Sequence, residues 1–406
     1  MNLSFKYLYN KVIKNLLLVI ILGQSFLFGL FAIYFNLRSN RFQEFVYLAD
    51  AFLHGQSNFY YLPPSLQDTV FINGKYFWPQ GIFPGIILMP FVWLGGILPW
   101  QSYLEIFLTL GIFYLAYKIA RVRGYNKIDS WWLGFAFVFA SLFAAIVYYS
   151  FVWQFAMCVS VLLSFLVLYE FLTKKRYFIL GVLSACLLAT RGTAALILVL
   201  VVLDLLFDRA ILCNKKLINL IKLLGPVLLI GILIFWYNHF NFGNIWDMGH
   251  MQAAIEPPSQ LLARAKYGLF SLASIPTGFY YSFLVPPSPI IDSDTLHLIP
   301  PYITLGQPVG FFYLSPLFLL IFKADARRFY IKLLWFTALV STIVVLSWFF
   351  VSQNSLGSRF LIDTLPIYFL LLLEGISGYK LKFWHYLVIA LSAWFNLYLL
   401  FTIVLL

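Results

Sequence analysis

Long apolar runs recur along almost the whole chain, and they constrain its fold more than any other feature. The 406-residue sequence is 62% hydrophobic and only 10% charged. A hydrocarbon core of about 30 Å takes about 20 helical residues to cross, and such segments must satisfy their backbone hydrogen bonds internally. We therefore predict an all-α polytopic membrane protein instead of a soluble domain. About eleven transmembrane helices are predicted, at 15–35, 101–119, 131–148, 152–172, 177–190, 193–207, 217–237, 302–322, 333–350, 361–378 and 384–405.

Basic residues are distributed unevenly between the two sides that these spans define. With the N-terminus in the cytoplasm, 20 of the 27 Lys and Arg residues fall on the inner side. The positive-inside rule predicts this asymmetry, so we expect a protein of the cytoplasmic membrane with a cytoplasmic N-terminus. The net charge of +12 then reflects topology, and we predict contact with membrane lipids and no nucleic-acid partner.

One further apolar run, residues 84–98, is short and is interrupted by Pro84, Pro90 and Gly95-Gly96. If it were a span, the basic cluster at 118–127 would lie outside. We interpret it as a re-entrant or interfacial helix, which other parts of the protein must cover.

Polar residues collect in three outer segments, at about 36–100, 238–301 and 351–360. The inner loops are short, and no G-x-G-x-x-G or P-loop pattern occurs, which argues against a nucleotide-dependent enzyme. No repeat of fixed period is present, so residues 1–406 are expected to form a single domain. The three cysteines lie in spans or at their inner ends, which predicts no disulfide.

The first outer segment carries two local signals. Residues from Glu44 onward follow helical spacing, which predicts an amphipathic helix with Glu44, Asp50 and His54 near one face. Further on, Asn73-Gly74 stands between the β-prone triplets VFI and KYF and predicts a hairpin turn.

The stretch EFVYLADAFLHG, followed by PP and by DTVFINGKYFWPQGIFPGIILMPF, resembles the first periplasmic loop of polytopic bacterial glycosyltransferases of the GT-C superfamily. The similar branch includes dolichyl-phosphate-mannose–protein mannosyltransferases and aminoarabinose transferases. Three later segments are similar to the same group: ATRGTAALIL (189–198), WYNHFNFGNIWDMGH (236–250) and LGSRFLIDTLPIYFLLL (356–372). The acidic pair that often opens the loop in this family is absent, since Asn40-Arg41 stands near its expected place.

This resemblance implies an inverting glycosyltransferase at the outer membrane face. Such enzymes move a sugar from a polyprenyl-phosphate donor to an acceptor hydroxyl of a lipid, glycan or protein. A loop carboxylate acts as general base, and cations stabilise the leaving phosphate. The resemblance implies no cofactor. We expect no metal requirement, with a divalent metal as the alternative. The sequence does not identify the sugar, the acceptor or the lipid carrier.

Asp50 is the predicted base, and Glu44 and Asp68 are the alternatives. Each of these carboxylates also has a plain interpretation as a solvated loop charge or an ion-pair partner. His54, one turn beyond Asp50, is expected to be a hydrogen-bonding neighbour in the substrate site. Lys75 follows the tight turn, where it either reaches a phosphate or is an ordinary turn lysine.

Two arginines are predicted to hold the lipid phosphate. Arg191 interrupts the apolar pattern near the outer surface, where an arginine is costly and indicates a functional site; the alternative is snorkelling to headgroups. Arg359 precedes a span and is followed by Asp363 at an i,i+4 spacing. That spacing favours a structural ion pair, and the functional alternative has Asp363 orienting an Arg359 that faces the phosphate.

Polar and aromatic residues alternate after Trp236, which fits either a site for sugar hydroxyls or an ordinary loop. The predicted substrate-binding residues here are Asn238, His239 and Asp247. The Asp292-Ser293-Asp294 triplet matches a D-x-D metal pattern, but three residues are a weak match, and we interpret them as a loop.

A transporter or flippase of a lipid-linked or envelope precursor is the alternative function. Transporters place charges at mid-membrane and often show repeated halves with broken helices. Here Glu170, Asp204 and Glu374 lie near the inner ends of spans, and the polar residues lie mainly outside. The sequence therefore favours the transferase.

Overall fold

α-Helices make up most of the structure, a computed structural model that describes residues 2–38, 42–148, 150–246, 249, 258–304, 308–349 and 356–405. The helices are, in chain order, α1 (Asn2–Arg38), α2 (Glu44–Leu53), α3 (Phe83–Gly95), α4 (Trp100–Val122), α5 (Lys127–Phe139), α6 (Ala144–Val147), α7 (Val152–Thr173), α8 (Tyr177–Thr190), α9 (Leu198–Phe207), α10 (Cys213–Phe242), α11 (Pro258–Tyr267), α12 (Ile275–Phe279), α13 (Phe311–Leu314), α14 (Phe329–Leu346), α15 (Leu365–Gly375) and α16 (Phe383–Leu405). Short 3-10 helices lie at Ala194–Ile197, Leu272–Ser274, Pro316–Lys323, Arg359–Asp363 and Ser377–Tyr379, and a π-helix lies at Tyr280–Leu284.

Among the described residues, six helices are long and apolar enough to cross a membrane: α1, α4, α7, α10, α14 and α16. Each of them corresponds to one predicted span. Several long apolar helices of this kind are the mark of a membrane-embedded, mainly helical protein.

The other five predicted spans are shorter or interrupted. The span expected at 177–190 is α8, which has 14 residues. The span at 131–148 breaks between α5 and α6, and the spans at 193–207 and 361–378 each begin as a 3-10 helix. The span at 302–322 begins in a β-strand and continues as α13 and a 3-10 helix. A single helix was therefore the wrong prediction for this last segment.

Buried side chains replace the helical hydrogen bonds at two of these breaks. The Asn396 amide of α16 donates to the carbonyl oxygens of Phe139, Ser141 and Leu314 at 3.1–3.3 Å. The Ser315 hydroxyl accepts from the Leu142 amide at 2.8 Å. Irregular backbone is tolerated at membrane depth only with such substitutes, and hydropathy does not reveal them.

The first loop, residues 42–98, contains both elements that its sequence predicts. α2 forms the helix, and β1 (Val70–Ile72) pairs antiparallel with β2 (Lys75–Phe77). Asn73 and Gly74 have φ of 50° and 77°, as a type I′ hairpin turn requires. α3, the expected non-crossing helix, has 13 residues and spans only about 20 Å. Gly85 of α3 packs against the Leu48 side chain of α2.

A second hairpin lies in the segment 258–304. β3 (Ser288–Ile291) pairs antiparallel with β4 (Leu298–Thr304). The Asp292 carboxylate accepts from the Asp294 amide and from the amide and hydroxyl of Thr295 at 2.7–3.0 Å. These bonds lower the pKa of Asp292, most strongly the one from the Thr295 amide. The triplet thus closes the hairpin as a turn.

Basic residues from distant parts of the sequence meet at one end of the helices, which we call the basic end. Here α4, α7, α9 and α15 end, and α5, α8, α10, α14 and α16 begin. The buried Glu374 carboxylate pairs with Arg328 at 2.7 Å and with Arg123. Lys175 pairs with Asp204 at 2.7 Å. These contacts join the helix ends on which the sequence predicts the inner clusters.

Candidate functional site

The first loop meets the ends of three other segments at the opposite end of the helices. Gly81 lies against the last turn of α8, where an added β-carbon would be 2.2 Å from the Thr190 carbonyl oxygen. Only a residue without a side chain allows this approach. Arg191 follows directly, and the start of α7 and the segment 356–363 complete the surroundings.

Arg191 and Asp363 form a bidentate ion pair. Arg191 Nε lies 2.8 and 3.0 Å from the two Asp363 oxygens, and Nη2 lies 2.9 Å from Oδ2. The Thr193 hydroxyl donates to the same carboxylate. Asp363 is buried and Arg191 is half-buried, so the arginine has a fixed orientation and does not snorkel freely.

The expected i,i+4 pair of Arg359 with Asp363 is replaced by this longer-range pair. Residues Arg359–Asp363 form a 3-10 helix, whose roughly three residues per turn leave positions i and i+4 on different faces. The correct partner of Asp363 lies 172 residues away in the sequence.

Arg359 is a half-buried cation with hydrogen-bonding capacity to spare. Its guanidinium lies 5.0 Å from the Trp153 ring centroid and 5.5 Å from that of Phe360. Its Nε is buried and has no hydrogen-bond partner among the described residues. Burial lowers the pKa of Arg359 to about 10; the Asp68 charge opposes this shift, and the Arg191 charge adds to it.

Of the three candidate carboxylates, Asp68 interacts with the charge of Arg359, and Glu44 interacts with the charge of Asp68. Burial raises the pKa of Asp68, while Arg359 and a hydrogen bond from the Trp153 indole act in the opposite direction. Burial also raises the pKa of Glu44 to about 8, a backbone hydrogen bond lowers it and the Asp68 charge raises it further. Glu44 is 1% exposed, and its Oε2 has no described hydrogen-bond partner. Asp68 is half-buried.

Two glutamines hold Glu44 at the start of α2. The Gln101 side chain accepts from the Phe45 amide at 2.9 Å and donates to the Phe42 carbonyl at 3.1 Å. In return, Gln43 Oε1 accepts from the Gln101 amide at 3.2 Å. Each glutamine therefore satisfies an amide in the first turn of the other's helix.

The predicted base, Asp50, lies further along α2 and has another neighbour. His54 Nδ1 is 3.6 Å from Asp50 Oδ1, and the His54 ring stacks on Tyr60 with centroids 4.1 Å apart. Six residues separate Asp50 from Glu44, which turns it about 120° around the helix and moves it about 9 Å along the axis. The two carboxylates therefore do not share a face. Lys75 begins β2 and is exposed.

Of the residues predicted after Trp236, Asn238 and His239 are described, and neither has a described contact with the arginines. Asn238 is buried and donates to the Ile245 carbonyl at 3.1 Å, which is a structural role. His239 is exposed, and its ring lies 5.9 Å from that of Phe240. Asp247, and also Asn40-Arg41 at the start of the loop, lie outside the described residues.

Sequence reasoning missed three contributors to this end of the molecule. Trp153 and Gln101 were assigned to spans, although a Trp at a span end, as Trp153 is, is a usable signal. Glu105 of α4 was overlooked. It is fully buried, and neither of its carboxylate oxygens has a described hydrogen-bond partner.

No protein-family model matches the chain, and neither a curated protein nor a solved structure matches it at a significant level. The geometry therefore carries the functional argument. It places Asp68 beside the Arg359 guanidinium, whose Nε has no described hydrogen-bond partner. Glu44 lies next to Asp68, and the Arg191 guanidinium, fixed by Asp363, lies next to Arg359. Such a site is suited to accepting a proton and binding an anion. The described residues contain no group of three or more His, Cys, Asp or Glu that could hold a metal ion.

Proposed function

We propose that the chain is an integral-membrane glycosyltransferase that takes its sugar from a polyprenyl-phosphate donor. The observation that carries this proposal is the position of Asp68 beside Arg359. Glu44 lies next to Asp68, and the Arg191–Asp363 pair lies next to Arg359. A displacement at an anomeric carbon needs a base for the acceptor proton and cations for the departing phosphate. The resemblance to GT-C enzymes supports the same reading.

Asp68 is the carboxylate that we assign as base. It is half-buried, so that an acceptor hydroxyl can approach it, whereas Glu44 is sealed from solvent. Burial raises its pKa, which strengthens it as a proton acceptor. The described ion-pair partner of Asp50 is His54 and not an arginine. The predicted base thus moves from Asp50 to Asp68 in this proposal, and Glu44 is the neighbour whose pKa the Asp68 charge raises.

The reaction proceeds by one displacement with inversion. The acceptor oxygen attacks the anomeric carbon and transfers its proton to Asp68. The bond from that carbon to the phosphate oxygen breaks, and polyprenyl phosphate leaves with the electron pair. Arg359 donates to the developing charge, and Arg191, held by Asp363, adds a second fixed positive charge.

The positive-inside rule orients this site within the membrane. The basic end then faces the cytoplasm, and the site faces outward in the cytoplasmic membrane, with the N-terminus inside. In this arrangement the five shorter or interrupted segments complete about eleven membrane passages in a GT-C-like fold.

The test is loss of label from radiolabelled polyprenyl-phosphate sugars in membranes that carry each variant. Asp68→Asn should reduce transfer by on the order of 10²-fold or more, with membrane insertion intact. Asp292→Asn is the matched control, because that carboxylate only closes a turn. Loss with Asp50→Asn alone would return the base to Asp50. Full activity of Asp68→Asn, Asp50→Asn and Glu44→Gln would remove the loop from the chemistry.

The burial of Glu105 inside α4 is the one observation that favours a lipid-precursor transporter instead. Ionisable groups buried inside transmembrane helices often mark transport pathways, and Glu105 lies beside Cys158 of α7. Reconstituted protein and a fluorescent lipid-linked sugar distinguish the two functions. Flipping that is abolished by Glu105→Gln, unaffected by Asp68→Asn and unaccompanied by sugar transfer would establish the transporter.

A further inference from the structure

A cleft of about 360 Å³ opens between the end of α2 and the end of α10. Its volume is within the range of small-molecule sites. Its walls include Gln56, Ser57, Trp236, Tyr237, Phe240 and Asn241. None of these residues belongs to the cluster of carboxylates and arginines.

The walls of the cleft are held together by packing and a hydrogen bond. The Ser57 hydroxyl donates to Asn241 Oδ1 at 2.6 Å and joins the two sides. The hairpin also packs on the end of α10, where the Phe77 and Phe242 rings lie 5.8 Å apart. The position of α10 against the first loop is therefore defined before any ligand binds.

The chemistry of the lining selects an uncharged, hydroxyl-rich ligand. The lining residues in the described part of the chain include no charged side chain, so the cleft differs in kind from the arginine site. Trp236 and Phe240, 62% and 69% exposed, supply aromatic surface that suits the apolar C–H faces of a sugar ring. Gln56, Ser57 and Asn241 supply donors and acceptors for its hydroxyl groups.

The position of the cleft relates it to the carboxylates. Glu44 begins α2 and the cleft lies just beyond its end, so the ten-residue helix separates them by about 15 Å. An extended chain of a few sugar units can span this distance. We infer that the cleft is a subsite for the inner, uncharged sugar residues of an oligosaccharide acceptor whose terminal sugar reacts at Asp68. This inference rests on the proposed function, because it is that function which supplies the reacting end.

Ligand-observed saturation-transfer NMR tests binding without requiring transfer. The protein is held in lipid nanodiscs free of sugar detergents, and the probes are neutral oligosaccharides of one to five glucose, mannose, galactose or N-acetylglucosamine units. Binding should strengthen with length. Trp236→Ala and Asn241→Ala should each weaken it at least fivefold, whereas Asp292→Asn and added inorganic phosphate should leave it unchanged.

Trp93→Ala is the control for a purely membrane-anchoring aromatic, since Trp93 is 73% exposed on α3. If no probe in the panel binds, or if Trp236→Ala weakens binding no more than Trp93→Ala, the inference is overturned. Length-dependent binding without any sugar transfer would instead contradict the proposed function and leave the cleft as a saccharide site. If the cleft binds saccharide and the protein also transfers sugar, Trp236→Ala should raise KM for a long acceptor and leave kcat unchanged.

Discussion

At the residue scale, the two arginines of the site differ in what they have left to offer a ligand. Asp363 accepts three hydrogen bonds from Arg191, so this guanidinium is already committed on one edge. Arg359 rests on aromatic rings and keeps a buried Nε without a described partner. Arg359 should therefore make the principal contact with a donor phosphate, and Arg191 should act mainly through its position and charge.

Arg359→Ala should weaken binding of a polyprenyl-phosphate sugar more than any other single change at the site. A hydrogen bond to a charged group contributes about 1.5–3 kcal/mol, which corresponds to roughly 10- to 100-fold in affinity. Arg359→Lys should recover only part of this loss. Lysine keeps the positive charge, but it lacks the planar guanidinium that can bind two phosphate oxygens at once. Calorimetric titration measures both variants. Equal affinity for wild type, Arg359→Lys and Arg359→Ala would exclude a phosphate contact.

Glu44 makes stability depend on pH in a predictable direction. Its pKa is raised from 4.5 to about 8, so in this interval the folded protein holds a proton that the unfolded chain has lost. Stability should therefore fall as pH rises from about 4.5 toward 8, by at most about 1.4 kcal/mol per pH unit from this group. Glu44→Gln should flatten the slope of the unfolding midpoint between pH 5.5 and 8. Asp294→Asn, at an exposed carboxylate, is the control and should leave the slope unchanged. If Glu44→Gln gives the same slope as this control, Glu44 does not have the raised pKa that burial gives it.

At the scale of the elements, α2 depends on α4 for its first turn. Gln101 is fully buried and satisfies the Phe45 amide and the Phe42 carbonyl together. These bonds fix the position of Glu44 at the start of α2. They also hold the start of the first loop, which forms one wall of the site. The helix itself follows from its own sequence, but its attachment requires a residue 56 positions away.

Gln101→Leu should destabilise the protein by about 1–3 kcal/mol, because it leaves a buried amide without an acceptor. It should also lower kcat more than it raises KM, since the lost bonds act on the position of the carboxylates. Thermal unfolding and steady-state kinetics measure the two effects. Gln154→Leu is the opposite control: its buried Oε1 has no described partner, and its loss should not destabilise. Equal effects of both variants would contradict a positioning role for Gln101.

At the scale of the whole molecule, the chain has two chemically different ends. One end joins Arg123, Arg328 and Glu374 in a buried cluster, and the other carries the first loop and its carboxylates. The six long helices connect these ends. We propose that these two ends lie at opposite faces of one membrane, with the basic end in the cytoplasm, as the positive-inside rule predicts.

Cysteine accessibility tests that orientation with a residue that the chain already contains. Cys213 is exposed at the start of α10, at the basic end, whereas Cys158 is buried. In intact cells an impermeant thiol reagent should not label Cys213 but should label Ser65→Cys in the first loop. After the inner face is opened, Cys213 should react as well. Labelling of Cys213 in sealed cells would place the site in the cytoplasm and contradict the proposed donor.

The sequence by itself determined the features that depend on neighbouring residues. Continuous apolar runs specify α1, α7 and α10 because a helix in lipid satisfies its own backbone. Asn73-Gly74 specifies the first hairpin, since both residues tolerate positive φ. The candidate residues Glu44, Asp68, Arg191, Arg359 and Asp363 were also selected from the sequence.

The pairing of those residues was decided by the tertiary structure. Asp363 binds Arg191 and not Arg359, because a 3-10 turn displaces the local partner while packing brings the distant one into reach. Likewise, the breaks at Ser141 and Ser315 exist because Asn396 is present to satisfy the freed carbonyls. The local sequence shows which polar and charged groups a segment contains. Only the packed chain decides which buried group meets which, since each must find its partner wherever the fold provides one.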